Sequence, residues 1–402
     1  NYDWTIPIPI GNYSESVSNQ DIAIDQDGNG IFVYKKNGDL YFNKFFRDGN
    51  LNTEQILELN SNAQDIEIFG STSGTFTILF KEYVNGFGNK LSYYTINDNN
   101  ISNKYAETNQ LSCDMMMMEP CFYAKSNSEG DLIIAQNIAN NKSVISLNQI
   151  GNVLSSQSIE VDKIGSLSIN DKGNAVVAIR NNNDLKIKKY IDNNWLDEES
   201  PNISGYVSYL SENSVTIADN NDIFLGLISN ETYPNNVSTG VIRYNNSLGM
   251  WENIYDVGNK DGNNIQNINI SSGKNGNAIV TWYSNEELLR VNNFYGDNQT
   301  WGEKTELAIG GRRSRSPLDI NHSFGRGFIF YNADMQVDYV GTPHVSVLNG
   351  SNWTTKDLAP DFNYEIQQIS SDFNKYGNGV VIFLWKNPNY TSYYLPYISL
   401  FK

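Results

Sequence analysis

Three arginines fall within four positions of the stretch 310–317, GGRRSRSP: Arg312, Arg313 and Arg315. Guanidinium groups present forked donors that fit carboxylate, sulfate or phosphate. Gly310 and Gly311 would let the backbone approach a ligand closely. The competing reading is a solvated charge run that pairs with neighbouring acids. A second stretch, 113–121, reads CDMMMMEPC and places Met115, Met116, Met117 and Met118 between Cys113 and Cys121. Thioethers and thiolates are soft ligands suited to Cu(I). Adjacent residues of an extended loop point alternately, however, so four consecutive methionines do not converge readily on one ion. The better reading is a disulfide-closed loop whose methionines form an adaptable apolar contact. A third stretch, DQDGNG at 25–30, matches the first six positions of a calcium loop. Position twelve of that loop requires a bidentate acid, and here it is Lys36. DQDGNG therefore reads as a turn, and neither a metal nor a cofactor is expected.

Composition narrows the partners. Lys plus Arg is 28 and Asp plus Glu is 45, so the formal charge is 28 − 45 = −17. Such a field disfavours nucleic acid and anionic membrane, which need a basic face. No apolar run reaches the roughly 18 residues of a membrane span, so no membrane insertion is expected. Asn is 60 of the 402 residues, which suggests an AT-rich coding sequence. The two cysteines lie close together with no third, which points to a small disulfide loop and an oxidising compartment. Loop entropy gives such a bond on the order of 2–3 kcal/mol. The expected location is secreted, periplasmic or at the cell surface.

The elements that hold these residues emerge from repetition. Helical periodicity is almost absent, while short alternating runs of Val, Ile, Tyr and Phe recur between Asn/Asp/Gly turns. DQDGNG has relatives in Asn170–Ala175 before VVAI, Gly276–Ala278 before IVTW and Gly377–Gly379 before VVIF. Weaker copies precede TFTILF, LIIAQ, IFLGL and FIFY, making eight turns about 43 to 56 residues apart. A second marker keeps the same spacing: one large apolar residue after a polar turn, at Leu51, Ile101, Val153, Trp195, Trp251, Trp301 and Trp353. The eighth copy is Trp4, at the other end of the chain. Two markers agreeing on eight units, one split across the termini, predict an all-β, eight-bladed β-propeller of four-stranded antiparallel blades. It forms a single domain over 1–402, with blade 8 built from about 360–402 plus 1–11. Seven blades plus an irregular unit is the alternative. In each blade, strands A and B flank the GN turn, and C and then the Trp-led D follow. Ile22, Ile24, Phe32, Val176, Ile179, Val280, Phe328 and Val381 are the expected core, and the strand D tryptophans are expected to act as inter-blade spacers.

The pattern of Gly-Asn-Ala/Gly before an apolar strand, then Trp opening the outer strand, resembles the repeats of bacterial secreted propellers, including lectin-like ones. The resemblance covers essentially the whole chain and implies the fold. No binding residue transfers with it, because propellers host many activities.

On this architecture the D–A and B–C loops share the end where propellers usually bind. Both the Arg cluster and the Met loop fall in D–A loops. The repeat places His344 in a long B–C loop, on the same face as Arg312, Arg313 and Arg315, and sends His322 toward the opposite end. HExxH, GxSxG, Walker and dinucleotide motifs are all missing from the sequence. The expected function is non-enzymatic recognition of a glycan or extracellular protein at the channel mouth. One alternative is a hydrolase or lyase acting on an acidic polysaccharide, with His344 or a Tyr as base. Another is an assembly scaffold that uses the methionine loop. The cysteine pairing predicts that denatured protein takes up no iodoacetamide until it is reduced, a difference that mass spectrometry reads directly.

Overall fold

The computed structural model describes residues 3–10, 17–97, 100–107, 110–112, 121–138, 140, 142–150, 159–181, 184–207, 213–229, 238–258, 266–283, 288–309, 318–323, 326–333, 340–358, 364–386 and 394–401. The chain is an eight-bladed β-propeller whose blades are four-stranded and antiparallel. Blade 1 shows the plan: strand A is Val17–Ile24, B is Gly30–Lys36, C is Asp39–Phe45 and D is Gln55–Glu58. In blade 8, strands A (Tyr364–Phe373), B (Gly379–Lys386) and C (Tyr394–Phe401) are completed by Ile8–Pro9. Ile8 pairs with Ile398, Pro9 with Tyr397, and Trp4 bridges Phe401. Thr5 secures the seam: its N–H donates to the Leu400 carbonyl, its hydroxyl oxygen accepts from Leu400 N, and its carbonyl accepts from Ser399 Oγ. The two prolines of this segment sit on an outer edge, where a missing N–H costs no ladder bond.

The chain divides into two compact units. One comprises Asn1–Val161, Pro317–Asp319 and Leu358–Lys402 and holds blades 8, 1, 2 and 3. The other comprises Asp162–Ser316 and Ile320–Asp357 and holds blades 4 to 7. Within each unit the core lies between successive blades. Strand B of blade 1 is apolar on both faces for this reason. Phe32 and Tyr34 pack with Val380, Ile382 and Ile398 of blade 8, while Ile31 and Val33 pack with Ile68, Ile78 and Phe80 of blade 2. The alternation of a strand sends successive side chains to opposite neighbours. All eight residues expected in the core are buried.

The four tryptophan markers of blades 4 to 7 occupy their expected place. Trp195 pairs with Tyr190, Trp251 with Tyr244, Trp301 with Phe294 and Trp353 with Leu348, each across strand C of its own blade. Two of these tryptophans also reach the preceding blade. Trp251 Nε1 donates to Glu199 Oε2 at 3.0 Å, and Trp301 meets the edge of Phe224. Val153 lies outside the described residues.

The GN turns hold together in a way that the sequence reading missed in part. The glycine takes the left-handed conformation, as in Gly28, Gly173 and Gly377. Asn29, Asn174 and Asn378 do not adopt it. Their type has a different cause: the side-chain oxygen accepts a backbone N–H from the C–D turn of the same blade. Asn29 takes Arg47 N, Asn174 takes Asp192 N and Asn277 takes Gly296 N, while Asp222 takes Asn246 N in blade 5. The first turn residue matters as well. Asp25, Ser71, Asn127, Asn170 and Asn374 each accept two N–H groups of their own turn through one side-chain oxygen. Such side-chain turns are a standard use of Asx and Ser residues.

Successive blades are also joined along their innermost strands. Each strand A pairs with strand B on one side, so alternate N–H groups point away from its partner. Side-chain oxygens of the preceding blade meet several of them. Asp372 accepts from Ile24 N and Asp21 from Ile68 N, both at 2.8 Å. Ser166 accepts from Val215 N and Ser168 from Ile217 N. Asn374 contributes to both systems, since its Nδ2 donates to the Asp25 and Gln26 carbonyls of blade 1. Replacing Asn374 by Ala is expected to cost about 2–6 kcal/mol, from four net hydrogen bonds of roughly 0.5–1.5 kcal/mol each. Asn374→Ser, which keeps the turn oxygen as Ser71 does, should recover about half. Urea denaturation of the three proteins measures both.

Candidate functional site

The strands that bracket each loop fix which end of a blade it occupies. The stretch 310–317 joins strand D of blade 6 (Thr305–Ile309) to strand A of blade 7 (Leu318–Ser323) and is a D–A connection. Arg312, Arg313 and Arg315 themselves lie outside the described residues. The methionine stretch is likewise a D–A connection. Leu111 bridges Ile138 before it, and Phe122–Ser126 opens blade 3 after it. Cys113, Met115, Met116, Met117 and Met118 lie outside the described residues. Cys121 is buried in an apolar cluster with Leu79, Leu91, Tyr93, Leu111 and Phe122.

His344 departs from its expected setting. It does not lie in a B–C loop but within strand C of blade 7 (Val340–Asn349), between Tyr331 of strand B and Asp357 of strand D (Asn352–Asp357). The strand runs further back toward the loop than the sequence pattern Val-Asp-Tyr-Val-Gly-Thr-Pro suggests. Pairing with strand B, which reaches Pro343 and Thr342, overrides the turn signal of Gly341 and Pro343. The imidazole is 8% exposed and stacks on Tyr331 at 5.6 Å. Its Nε2 lies 2.6 Å from Asp357 Oδ1 and its Nδ1 lies 2.7 Å from the Thr342 carbonyl. Both ring nitrogens therefore face oxygen atoms. His322 lies in strand A of blade 7, one residue before that strand's end, as expected.

His344 and Asp357 belong to a wider pattern. Acids one to five residues after the marker residue clasp cations of strands B and C. Lys36 meets Glu54 at 2.6 Å, Lys186 meets Glu198 at 2.9 Å and Arg290 meets Glu306 at 3.1 Å. Lys189 meets Glu199 at 2.5 Å and stands 3.8 Å from the centre of the Tyr244 ring in the next blade. Buried Arg243 holds Asp222 and Glu252 and lies over the Phe294 ring. A buried cation left without its acid is costly, so these pairs fix strand positions.

The densest titratable cluster lies between blades 1 and 2. Lys104 Nζ is 2.6 Å from Glu58 Oε1 and 2.9 Å from Glu82 Oε2, and Ser92 Oγ donates to Glu82. Burial pulls the Lys104 ammonium down, but hydrogen bonds to both glutamates outweigh it and hold the group above its usual value. Burial and then the Glu58 charge push Tyr94 up to about 12. A phenol so shifted is a poor base, and a lysine between two carboxylates neutralises rather than attacks.

The A–B end has a different chemistry. The Asp25 carboxyl is occupied by its own turn amides, at 2.9 Å from both Asp27 N and Asn29 N. Burial nevertheless raises its pKa above the usual carboxylate value. Among the described residues no group of three or more His, Cys, Asp or Glu is placed to hold a metal. No helix there is long and apolar enough to cross a membrane. The sequence reading overlooked Asp219, whose Oδ1 accepts from Asp171 N in the preceding blade. Burial, then the charge of Asp171, hold its carboxyl above 3.8.

No known family matches the chain, and no curated protein is similar to it in sequence. Several solved structures are similar to it. One is a protein of unknown function from Dyadobacter fermentans, at 9% identity over 100% of this chain and 99% of that one, with a TM-score of 0.39. Another is the β-propeller domain of the Trilobed protease from Pyrococcus furiosus, at 10% identity over 84% and 93%, with a TM-score of 0.49. A third is a polysaccharide lyase described as an ulvan lyase, at 8% identity over 85% and 78%, with a TM-score of 0.40. The propeller assignment rests on the strand pairing, and these likenesses bear on no ligand or activity.

Asp219 supplies a test of the A–B end. Its raised pKa means that the folded protein binds this proton more tightly than the unfolded chain. Its contribution is therefore unfavourable above the folded pKa and fades as pH falls toward 3.8. Asp219→Asn keeps the oxygen that accepts from Asp171 N. It is expected to raise the urea midpoint at pH 7 and to leave it unchanged below about pH 4.

Proposed function

We propose that this protein is a secreted or surface-exposed, non-enzymatic recognition propeller. Its ligand is an acidic glycan, bound at the D–A and B–C end through Arg312, Arg313 and Arg315. The observation that carries this reading is the bracketing of the arginines by strands Thr305–Ile309 and Leu318–Ser323, which makes their stretch a D–A connection. The setting adds weight. The chain carries a formal charge of −17, and blade cations such as Lys36, Lys186, Lys189, Arg243 and Arg290 are clasped by blade acids. Arg312, Arg313 and Arg315 fall in a connection between blades and not in a blade strand. Their forked geometry suits carboxylate or sulfate groups along a polysaccharide.

His344 fits the recognition reading better than the hydrolase or lyase reading, because its nitrogens already meet Asp357 and Thr342. The methionine loop, closed by a Cys113–Cys121 disulfide, would be a neighbouring contact element. An oxidising compartment suits that bond. On a glycan array, the protein is expected to retain uronate-bearing or sulfated glycans and to pass neutral ones. Arg312→Ala/Arg313→Ala/Arg315→Ala should lose that retention while keeping its thermal midpoint. Retention unaffected by the triple change sinks the reading. Capture of extracellular proteins alone would redirect it to a protein ligand.

A further inference from the structure

The B–C hairpin of blade 2 joins strand B (Thr75–Val84) to strand C (Gly88–Asn97). Phe87 N–H donates to the Val84 carbonyl and closes the turn, with Gly86 and Gly88 in the left-handed conformation on either side. Phe87 is 62% exposed, and a Cβ added at Gly86 would meet open space. An aromatic ring is thus held at the apex of a short turn with little around it. Lys90 Nζ stands 4.7 Å from the centre of that ring.

The position of Lys90 has a local cause. Lys90 is the cross-strand partner of Glu82, and opposite charges so placed ordinarily pair. Glu82 is buried, however, and its carboxylate is already engaged by Ser92 Oγ and Lys104 Nζ. The Lys90 ammonium instead lies over the Phe87 face, a cation–π arrangement. The hairpin is also braced from below. Leu111 N–H donates to the Asn89 carbonyl, and a side chain at Gly88 would strike Gln110 Nε2 at 2.4 Å. Stem and apex are therefore set before any ligand arrives, which lowers the cost of binding.

We propose that this hairpin is a binding site in its own right for an acidic sugar, with the Phe87 ring as the stacking surface for a pyranose and the Lys90 ammonium as the counter-ion of its carboxylate. The proposal rests on the glycan reading above and specifies a uronic acid as the ligand class. A pyranose presents a flat C–H face that complements the Phe87 ring, and on stacking it moves the flexible Lys90 ammonium from the ring face to the ring edge, where the C5 carboxylate meets it. Tyr83, 58% exposed on strand B, projects from the opposite face of the strand pair and is not part of the site.

The test is calorimetric titration of the full chain with hexagalacturonate, maltohexaose and a hexaglutamate peptide. Hexagalacturonate is expected to bind and the other two are not. In the Arg312→Ala/Arg313→Ala/Arg315→Ala background, which leaves the hairpin as the uronate site, Phe87→Ala should weaken binding about tenfold, Lys90→Glu should abolish it, and Lys90→Arg should retain it. Circular dichroism and thermal midpoints confirm that these surface variants fold. The proposal is overturned if hexagalacturonate fails to bind, if Phe87→Ala and Lys90→Glu bind it as that background does, or if hexaglutamate shows the same sensitivity to both changes. The Arg312→Ala/Arg313→Ala/Arg315→Ala protein separates the two readings. If it loses binding itself, the hairpin site falls and the arginine site stands. If it binds as the wild type does and only its hairpin variants lose binding, the reverse holds.

Discussion

An innermost strand has a partner on one side only, and every blade of this protein must satisfy the other side. Half of that strand's N–H groups point away from strand B. Unsatisfied buried amides cost about 1–3 kcal/mol each. The solution is to send a side-chain oxygen from the preceding blade to the orphan amide, as Asp372, Asp21, Ser166 and Ser168 do. This constraint governs which polar residues are tolerated inside a core that is otherwise apolar. It also couples blade 8 to blade 1, blade 1 to blade 2 and blade 4 to blade 5 directionally, since the first of each pair completes the second. Apolar packing between blades then proceeds on strands already held in register.

Much of this plan was legible in the sequence. The Trp-led strand and the glycine turn recur with one copy split across the termini, and the copies at Trp195, Trp251, Trp301 and Trp353 and at Gly28, Gly173 and Gly377 serve the same positions in their blades. Repetition turns a weak local signal into a firm one. The turn chemistry was legible only in part. Left-handed glycines were read correctly, but the asparagine beside them is kept for a contact some eighteen residues downstream, such as Asn29 with Arg47. Nothing local reveals that. A compositional explanation of the asparagines misses those whose amides hold turns together. His344 was misplaced because Gly341 and Pro343 look like loop residues, whereas pairing with strand B continues strand C past Pro343 to Thr342. Phe87 escaped notice for the opposite reason. Its hairpin is short and ordinary in sequence, and only exposure and the fate of Glu82 make it distinctive.

Charge is used economically in the blades. With 28 basic residues against 45 acidic ones, cations are scarce, and many of the described ones sit in clasps between strands or blades. Exposed pairs of this kind contribute little, but Arg243 and Lys189 are buried beside aromatic rings, where desolvation is prevented from becoming a penalty only by their partners. Positive charge placed elsewhere, on a loop or above a bare ring, therefore carries more meaning in this chain than it would in a neutral one.

The outer strand of the last blade comes from the other end of the chain, with Thr5 bonded to Leu400 and Trp4 packed on Phe401. During synthesis Thr5 is made 395 residues before its partner Leu400. Blades 1 to 7 can pack as they emerge, yet the segment Ile8–Pro9 must wait unpaired until strand C of blade 8 has been made. Closure of so long a loop is slow compared with hairpin formation. For that interval the chain presents an unpaired strand to other nascent copies, and its yield depends on how well that edge is kept from strangers.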